Sequence, residues 1–280
     1  MNTRSMVWSL RRELWENRSI YIAPLAVAAV MVFGFFIAAI AALSAKAFKL
    51  DPRPDKLAQP FNFVAVLMMA VMFIVAIFYC LDALHGERRD RSILFWKSMP
   101  VSDVTTVLSK AAIPLVVLPL ITFVLTIATQ LIMLLLGSAV ALIRDQSAVV
   151  LWTKLPWFQM SGMLLYHLLS VHSLYYAPFF GWLLLVSAWA KRAPFLWAVL
   201  PLFAIGILEK IAFNTSYFGA MLASRMSGGA KGDGMQSGVM MLGTFNIGEF
   251  LSSPGLWIGL AVTAGFLAVA VFLRRSRGPI

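Results

Sequence analysis

Charge is scarce in this chain, and so are most of the groups that do chemistry. Only 12% of its 280 residues are Asp, Glu, Lys or Arg, while 61% are hydrophobic; a soluble domain carries about 25% charge. Cys80 is the one cysteine, so no internal disulfide can form, and the redox compartment stays undetermined. Inside an apolar run it reads as a small buried residue. There are three histidines, His85, His167 and His172, and no HExxH. His167 and His172 stand five apart, whereas i, i+4 residues share an α-helical face. No metal site is expected, and the pair reads as interfacial beside Tyr166, Tyr175 and Tyr176.

Nucleotide and hydrolase signatures are missing too. A phosphate loop needs GxxxxGK[ST], whose glycines let backbone N–H groups cradle the phosphates. The stretch "GGAKGDG" has glycines and a lysine, but the wrong spacing and no strand before it; it reads as a flexible loop. There is no GxSxG and no serine with a base beside it. We therefore expect no catalytic residue, no cofactor bound by this chain, and no bond-breaking enzyme.

What is abundant is oil in long runs, each near the roughly 20 residues that cross a bilayer. A β-barrel would show alternating segments of about 10 residues, and none occur. The expectation is an all-α, polytopic integral membrane protein with one transmembrane domain over residues 1–280. Six spans are expected, at 20–43, 61–84, 111–143, 164–190, 194–213 and 254–273. The third is too long for one perpendicular crossing at about 1.5 Å per residue, and Pro114 and Pro119 are candidate kinks. Residues 214–253 form a Gly- and Ser-rich outer loop. Residues 1–18 are polar, and the run after them is longer than a signal core, so it reads as a retained span. Residues 1–19 hold Val7, Trp8, Leu10, Leu14 and Trp15 in a broad helical arc broken by Arg11 and Arg18. They read as an interfacial helix with snorkelling arginines, or otherwise as a tail.

The formal net charge is +11. The basic residues flank apolar spans, so they speak for membrane orientation and lipid contact rather than nucleic acid. The larger share falls beside both termini, between spans two and three, and at Lys191 and Arg192. Both termini and segment 85–110 should then face the cytoplasm.

Weaker features concern packing and passage. Thr122, Thr126, Thr129 and Gln130 share one helical arc. They either line a path or bond back to carbonyls and glue helices together. Gly34, Ala38 and Ala42 form one ridge of small residues, and Gly255 and Gly259 a second; each serves packing within the chain or a dimer seam. Glu209 and Lys210 are a functional charge at membrane depth or a charge at a helix end.

The most specific signal is "ERRDRSILFWKSMPVSD…VLSK", from Glu87 to Lys110. Ile93, Leu94, Phe95, Trp96 and Met99 make an apolar knob. Arginine and aromatics are the residue types enriched at interface anchors. Glu87, Arg88, Arg89, Asp90 and Arg91 offer a charged rim. Pro100 ends the knob, and Ser102 can cap the next helix, with Asp103 in its first turn. The knob faces either a protein partner or lipid headgroups.

This segment resembles the loop between spans two and three in permease subunits of ABC transporters of the second exporter type. Their pattern is roughly ExExGTxxxLLxxPvs…K. Glu87 falls at the first glutamate, Arg91-Ser92 at the Gly-Thr, Pro100-Val101-Ser102 at the Pro-Val-Ser, and Lys110 at the lysine. Arg89 departs from the second glutamate. The motif itself is confined to the stretch from Glu87 to Lys110. The resemblance implies a membrane subunit of an ATP-driven exporter in the bacterial inner (cytoplasmic) membrane. It implies a second permease copy or paralogue, and a dimer of cytoplasmic ATPase subunits that bind ATP and Mg. The segment would be the coupling helix, with Glu87, Arg88, Arg91, Ile93, Leu94, Phe95, Trp96, Met99 and Pro100 meeting the ATPase. A non-transporting scaffold or immunity-type subunit is the alternative; neither reading names a substrate.

Overall fold

The computed structural model describes residues 3–44, 51, 53–98, 101–226, 247–276 and 278. Met99, Pro100, Lys46, Lys49 and the centre of the outer loop, 227–246, lie outside them. Every element among the described residues is a helix, with no strand.

Helix α1 spans Thr3–Glu16 and α2 spans Ser19–Ser44. Residues 3–16 are thus a helix rather than a tail. Val7, Trp8 and Trp15 lie exposed, while Ser9 and Glu13 turn inward. Helix α3, Pro54–Ala83, begins earlier than the apolar run. Pro54 suits a first turn, where its missing N–H is no loss, and Asp55 complements the helix dipole there. α3 is the central helix and buries Phe61, Val64, Met68, Met72, Tyr79 and Cys80.

Two short helices follow, α4 (His85–Arg89) and α5 (Ser92–Ser98). Next come α6 (Asp103–Ala112), a π-helical stretch π1 (Ile113–Val117) and α7 (Leu118–Ile143). Together these form one continuous 41-residue helix, about 60 Å long, twice the hydrocarbon thickness. Pro114 lies inside π1 and Pro119 opens α7. A proline cannot donate the i→i−4 bond, and the wider π turn absorbs the loss.

After α8 (Val149–Lys154) come α9 (Trp157–His167), a second π-helix π2 (Leu168–Tyr175) and α10 (Ala177–Trp189). The expected fourth span is therefore not one straight helix over 164–190. It starts at Trp157 and bends by 48° at Tyr176, just before Pro178. Helix α11, Pro194–Phe213, follows a turn in which Ala193 is left-handed, and ends at left-handed Asn214. α12 (Tyr217–Met226), α13 (Ile247–Ser252) and α14 (Pro254–Ser276) complete the chain.

Among the described residues five helices are long and apolar enough to cross a membrane, and six if the bent pair is one span. Packing centres on α3, with α2, α7 and α10 around it, and α14 seated on α10. At the last contact a Cβ on Gly181 would lie 3.3 Å from Thr263, so a small residue is needed for the close approach. Arg144 ties α2 to α7 by donating to the carbonyls of Ala42 and Leu43. α2 and α11 are the least covered spans.

Candidate functional site

At the end of the bundle that carries both termini, three acids meet three bases. Glu13 comes from α1, Glu87 from α4 and Asp103 from α6. Arg12 comes from α1, Lys110 from α6 and Arg274 from α14. Lys110 Nζ lies 2.9 Å from Glu13 Oε1 and 3.2 Å from Glu87 Oε1. Arg12 Nη2 reaches Glu13 Oε1 at 2.7 Å and Glu87 Oε1 at 3.2 Å. Arg274 bridges Glu87 and Asp103, the latter at 2.9 Å. Tyr79 of α3 donates to Glu13 Oε2 at 2.8 Å.

Formal charges cancel within this group. That matters because Glu13 and Lys110 are almost fully buried, with Lys110 only 2% exposed, and an isolated charge there would be prohibitive. Burial pushes the Glu13 carboxyl up, but Lys110 and Arg12 more than offset it and hold it below its ordinary value. The cluster thus pins the two terminal helices, α1 and α14, to the segment between α3 and α7.

The base of that segment is clamped as firmly. Ser187 Oγ accepts from the backbone N–H groups of Leu84 and His85 at 3.0 and 2.9 Å. His85 Nδ1 lies 3.2 Å from the Ala190 carbonyl oxygen. Arg88 Nη1 donates to the carbonyl of Ala188 at 2.8 Å. These carbonyls close the C-terminus of α10, where a cation complements the helix dipole. Ser102 caps α6 by accepting from the Thr105 N–H at 3.2 Å, as its position before Asp103 implies.

The charged rim therefore splits. Glu87 and Arg88 are not surface groups: they are 7% and 5% exposed and find their partners inside the chain. Arg89 and Asp90 stay outside and pair with each other at 2.9 Å. Arg91 takes a left-handed conformation with φ 58°. The turn from α4 to α5 requires it, a conformation that glycine adopts at less cost. The apolar knob divides likewise. Ile93 is fully buried and packs inward, lining a cavity of about 10 Å³ with Leu84, Arg88, Ala188 and Arg274. Leu94 and Phe95 stand out, each more than half exposed. Trp96 is half-buried; its ring meets Phe95 edge-on and carries the Arg12 guanidinium at 4.0 Å.

Elsewhere the polar stripe is closed. Thr122, Thr126, Thr129 and Gln130 are all buried within the chain. Thr126 donates to the Thr122 carbonyl, Thr129 to that of Leu125, and Gln130 Nε2 to that of Phe61. Thr126 and Thr129 thus bond back within α7, and Gln130 joins α7 to α3. The two small-residue ridges behave differently from each other. A Cβ on Gly34 meets nothing within 4 Å. Gly259 instead makes room for Arg225 of α12, whose Nη2 donates to the Gly255 carbonyl at 2.6 Å. Glu209 accepts from the backbone of Tyr217 and Phe218 at 2.6 and 2.9 Å and so holds the start of α12.

The expected separation of the two histidines fails for a definable reason. Helix π2 begins right after His167, and its wider turn carries His172 back toward it. The two rings stand 5.4 Å apart, both buried. No family profile, curated protein or solved structure matches the chain.

Proposed function

We propose that this chain is the transmembrane subunit of an ATP-driven exporter, and that α5 is its contact with a separate ATPase. The observation that carries the proposal is a short helix with an exposed apolar tip and an immobilised root. Leu94 and Phe95 offer a surface of the kind interfaces bury, while Ile93, Arg88 and Glu87 fix the other side to α10, α6, α1 and α14. A push on α5 would reach all four through the charge cluster rather than be lost in a loop. The resemblance of Glu87–Lys110 to the permease coupling segment supplies the partner: cytoplasmic ATPase subunits that bind ATP and Mg.

On this reading the terminal end of the bundle is cytoplasmic, in a bacterial inner membrane. The faces of α2 and α11 meet lipid and a second permease copy or paralogue. On this reading the substrate path runs between copies or at the lipid boundary, which the closure of the Thr122, Thr126, Thr129 and Gln130 stripe by burial supports. The same closure suits the second reading, a non-transporting scaffold or immunity-type subunit, which predicts ATP hydrolysis indifferent to any substrate.

The test is co-expression with a candidate ABC ATPase subunit and purification of the complex. Trp96 supports Arg12, so the informative variant is Leu94→Ala/Phe95→Ala, which leaves the cluster intact. Loss of co-purification with normal membrane insertion is the expected result. An unchanged complex with unchanged ATPase activity would overturn the docking role.

A further inference from the structure

We infer that the cleft between α2 and α3 holds one acyl chain of a phospholipid, with the lipid phosphate at Lys56. The cleft measures about 590 Å³. α2 lines it with Val30 and Phe35, and α3 with Gln59 and Phe63. Met133 of α7, only 2% exposed, closes it at the back. A methylene takes roughly the room of a water molecule, about 30 Å³, so the cleft accommodates roughly 20 of them, about one long acyl chain. Sites for small, largely apolar ligands measure about 300–1,000 Å³.

The fold holds this space open. The α3 wall is fixed to α7 by Gln130, whose Nε2 donates to the Phe61 carbonyl at 3.1 Å. The α2 wall is fixed to α7 by Arg144, which donates to the carbonyls of Ala42 and Leu43. Both ties run to α7, and neither draws α2 against α3. Gly34 widens the gap further, since a Cβ there would meet nothing within 4 Å. The cleft lies between two helices long and apolar enough to cross a membrane. An apolar space of this size left empty would forfeit the dispersion contacts of its lining, and hydrocarbon restores them.

A polar end stands in line with the apolar space. Lys56 is exposed on the first turn of α3. At about 100° per residue it lies inside the arc of Gln59, Pro60 and Phe63, whereas Asp55 falls well to one side. Phe63 sits about 10 Å further along the helix. Arg53 is already paired with Asp51, so Lys56 is the cation placed over the cleft. Its long stem can follow apolar surface while the ammonium reaches the headgroup layer, and the exposed Gln59 amide adds a donor one turn deeper. A second copy fits less well. A twofold interface sets one surface against itself, and two concave clefts face to face leave a void.

The experiment uses the full-length chain in phosphatidylcholine nanodiscs. They carry a trace of phosphatidylglycerol with a diazirine midway along one acyl chain. After irradiation the crosslinks should concentrate in residues 30–35 and 59–63. Gly34→Leu, which fills the cleft, should remove that concentration and leave labelling of α11 unchanged. Unlabelled phosphatidylglycerol should compete better than diacylglycerol, which lacks the phosphate, and Lys56→Gln should cut that advantage about fivefold. Labelling spread evenly over α2 and α11 would overturn the site, as would labelling unchanged in Gly34→Leu. An unchanged preference in Lys56→Gln would overturn the headgroup assignment. Efficient disulfide linkage of two Gly34→Cys chains in the membrane would put a second copy in the cleft, which also contradicts the proposal. The crosslink map of the unmodified chain decides the matter if a variant fails to insert. The inference is independent of the exporter reading, so failure of ATPase docking leaves it standing.

Discussion

Replacing Lys110 with methionine should be among the most damaging single changes near the terminal end. Lys110 Nζ is 2.9 Å from Glu13 and 3.2 Å from Glu87. At about 3 Å and an effective dielectric near 20, each contact amounts to roughly 5 kcal/mol before desolvation is subtracted. Deleting one partner of a buried pair typically costs about 3–5 kcal/mol, because the stranded charges stay behind. Lys110→Met leaves Glu13 with Arg12 and Glu87 with Arg12 and Arg274. The expected loss is thus toward the lower end, about 3 kcal/mol. Glu13→Gln, which strands Lys110 less because Glu87 remains, should cost less. The double variant Glu13→Gln/Lys110→Met should recover at least about 1 kcal/mol relative to the sum of the singles. Reversible unfolding in mixed detergent micelles, followed by tryptophan fluorescence, measures all three. A Lys110→Met variant within about 1 kcal/mol of the parent, or strictly additive singles, would refute the idea that the cluster pins α1 to α6.

The Glu13 carboxyl is held below its ordinary value of 4.5, so its contribution to stability is present above that pH and is lost as pH falls through the lower folded value. Unfolding measured from pH 6 to pH 3 should show this acid loss, and Glu13→Gln should flatten it. Arg91→Gly should stabilise the chain by about 0.5–1 kcal/mol by relieving the left-handed turn, while Arg91→Val should destabilise it. Ile93→Ala should cost about 2–4 kcal/mol through the cavity it opens, whereas Leu94→Ala should stay within about 0.5 kcal/mol. Gly34→Leu should leave the isolated chain's stability unchanged, while Gly181→Leu should weaken it through collision with Thr263.

The helical membrane architecture was legible because hydrophobic runs of bilayer length have few other solutions. Boundaries were less so. Pro54 extends α3 outward from the apolar run, and the bend at Tyr176 has no hydropathy signature. Ser102 was readable as a cap because the capping oxygen is local. The charge cluster was not readable, since Glu13, Lys110 and Arg274 lie far apart in the chain and only packing brings them together. A hint existed: Glu13 falls off the exposed apolar arc of α1, and acids are few here. The proximity of His167 and His172 was missed because an α-helical period was assumed where the backbone widens. Glu87 and Arg88 looked like a solvent-facing rim because local charge density carries no information on which carbonyls lie opposite.

The most direct measurement places a cysteine at Phe95. The one native cysteine, Cys80, is buried, so Phe95→Cys gives a single reactive thiol at the tip of α5. In membranes co-expressing a candidate ABC ATPase subunit, the proposed docking predicts that a short bismaleimide crosslinks this thiol to a cysteine placed on the ATPase surface facing the membrane. The proposal also predicts that ATP changes the yield. A thiol that never crosslinks to the ATPase, and is shielded from water-soluble maleimide equally with and without it, would place α5 on lipid headgroups and contradict the account.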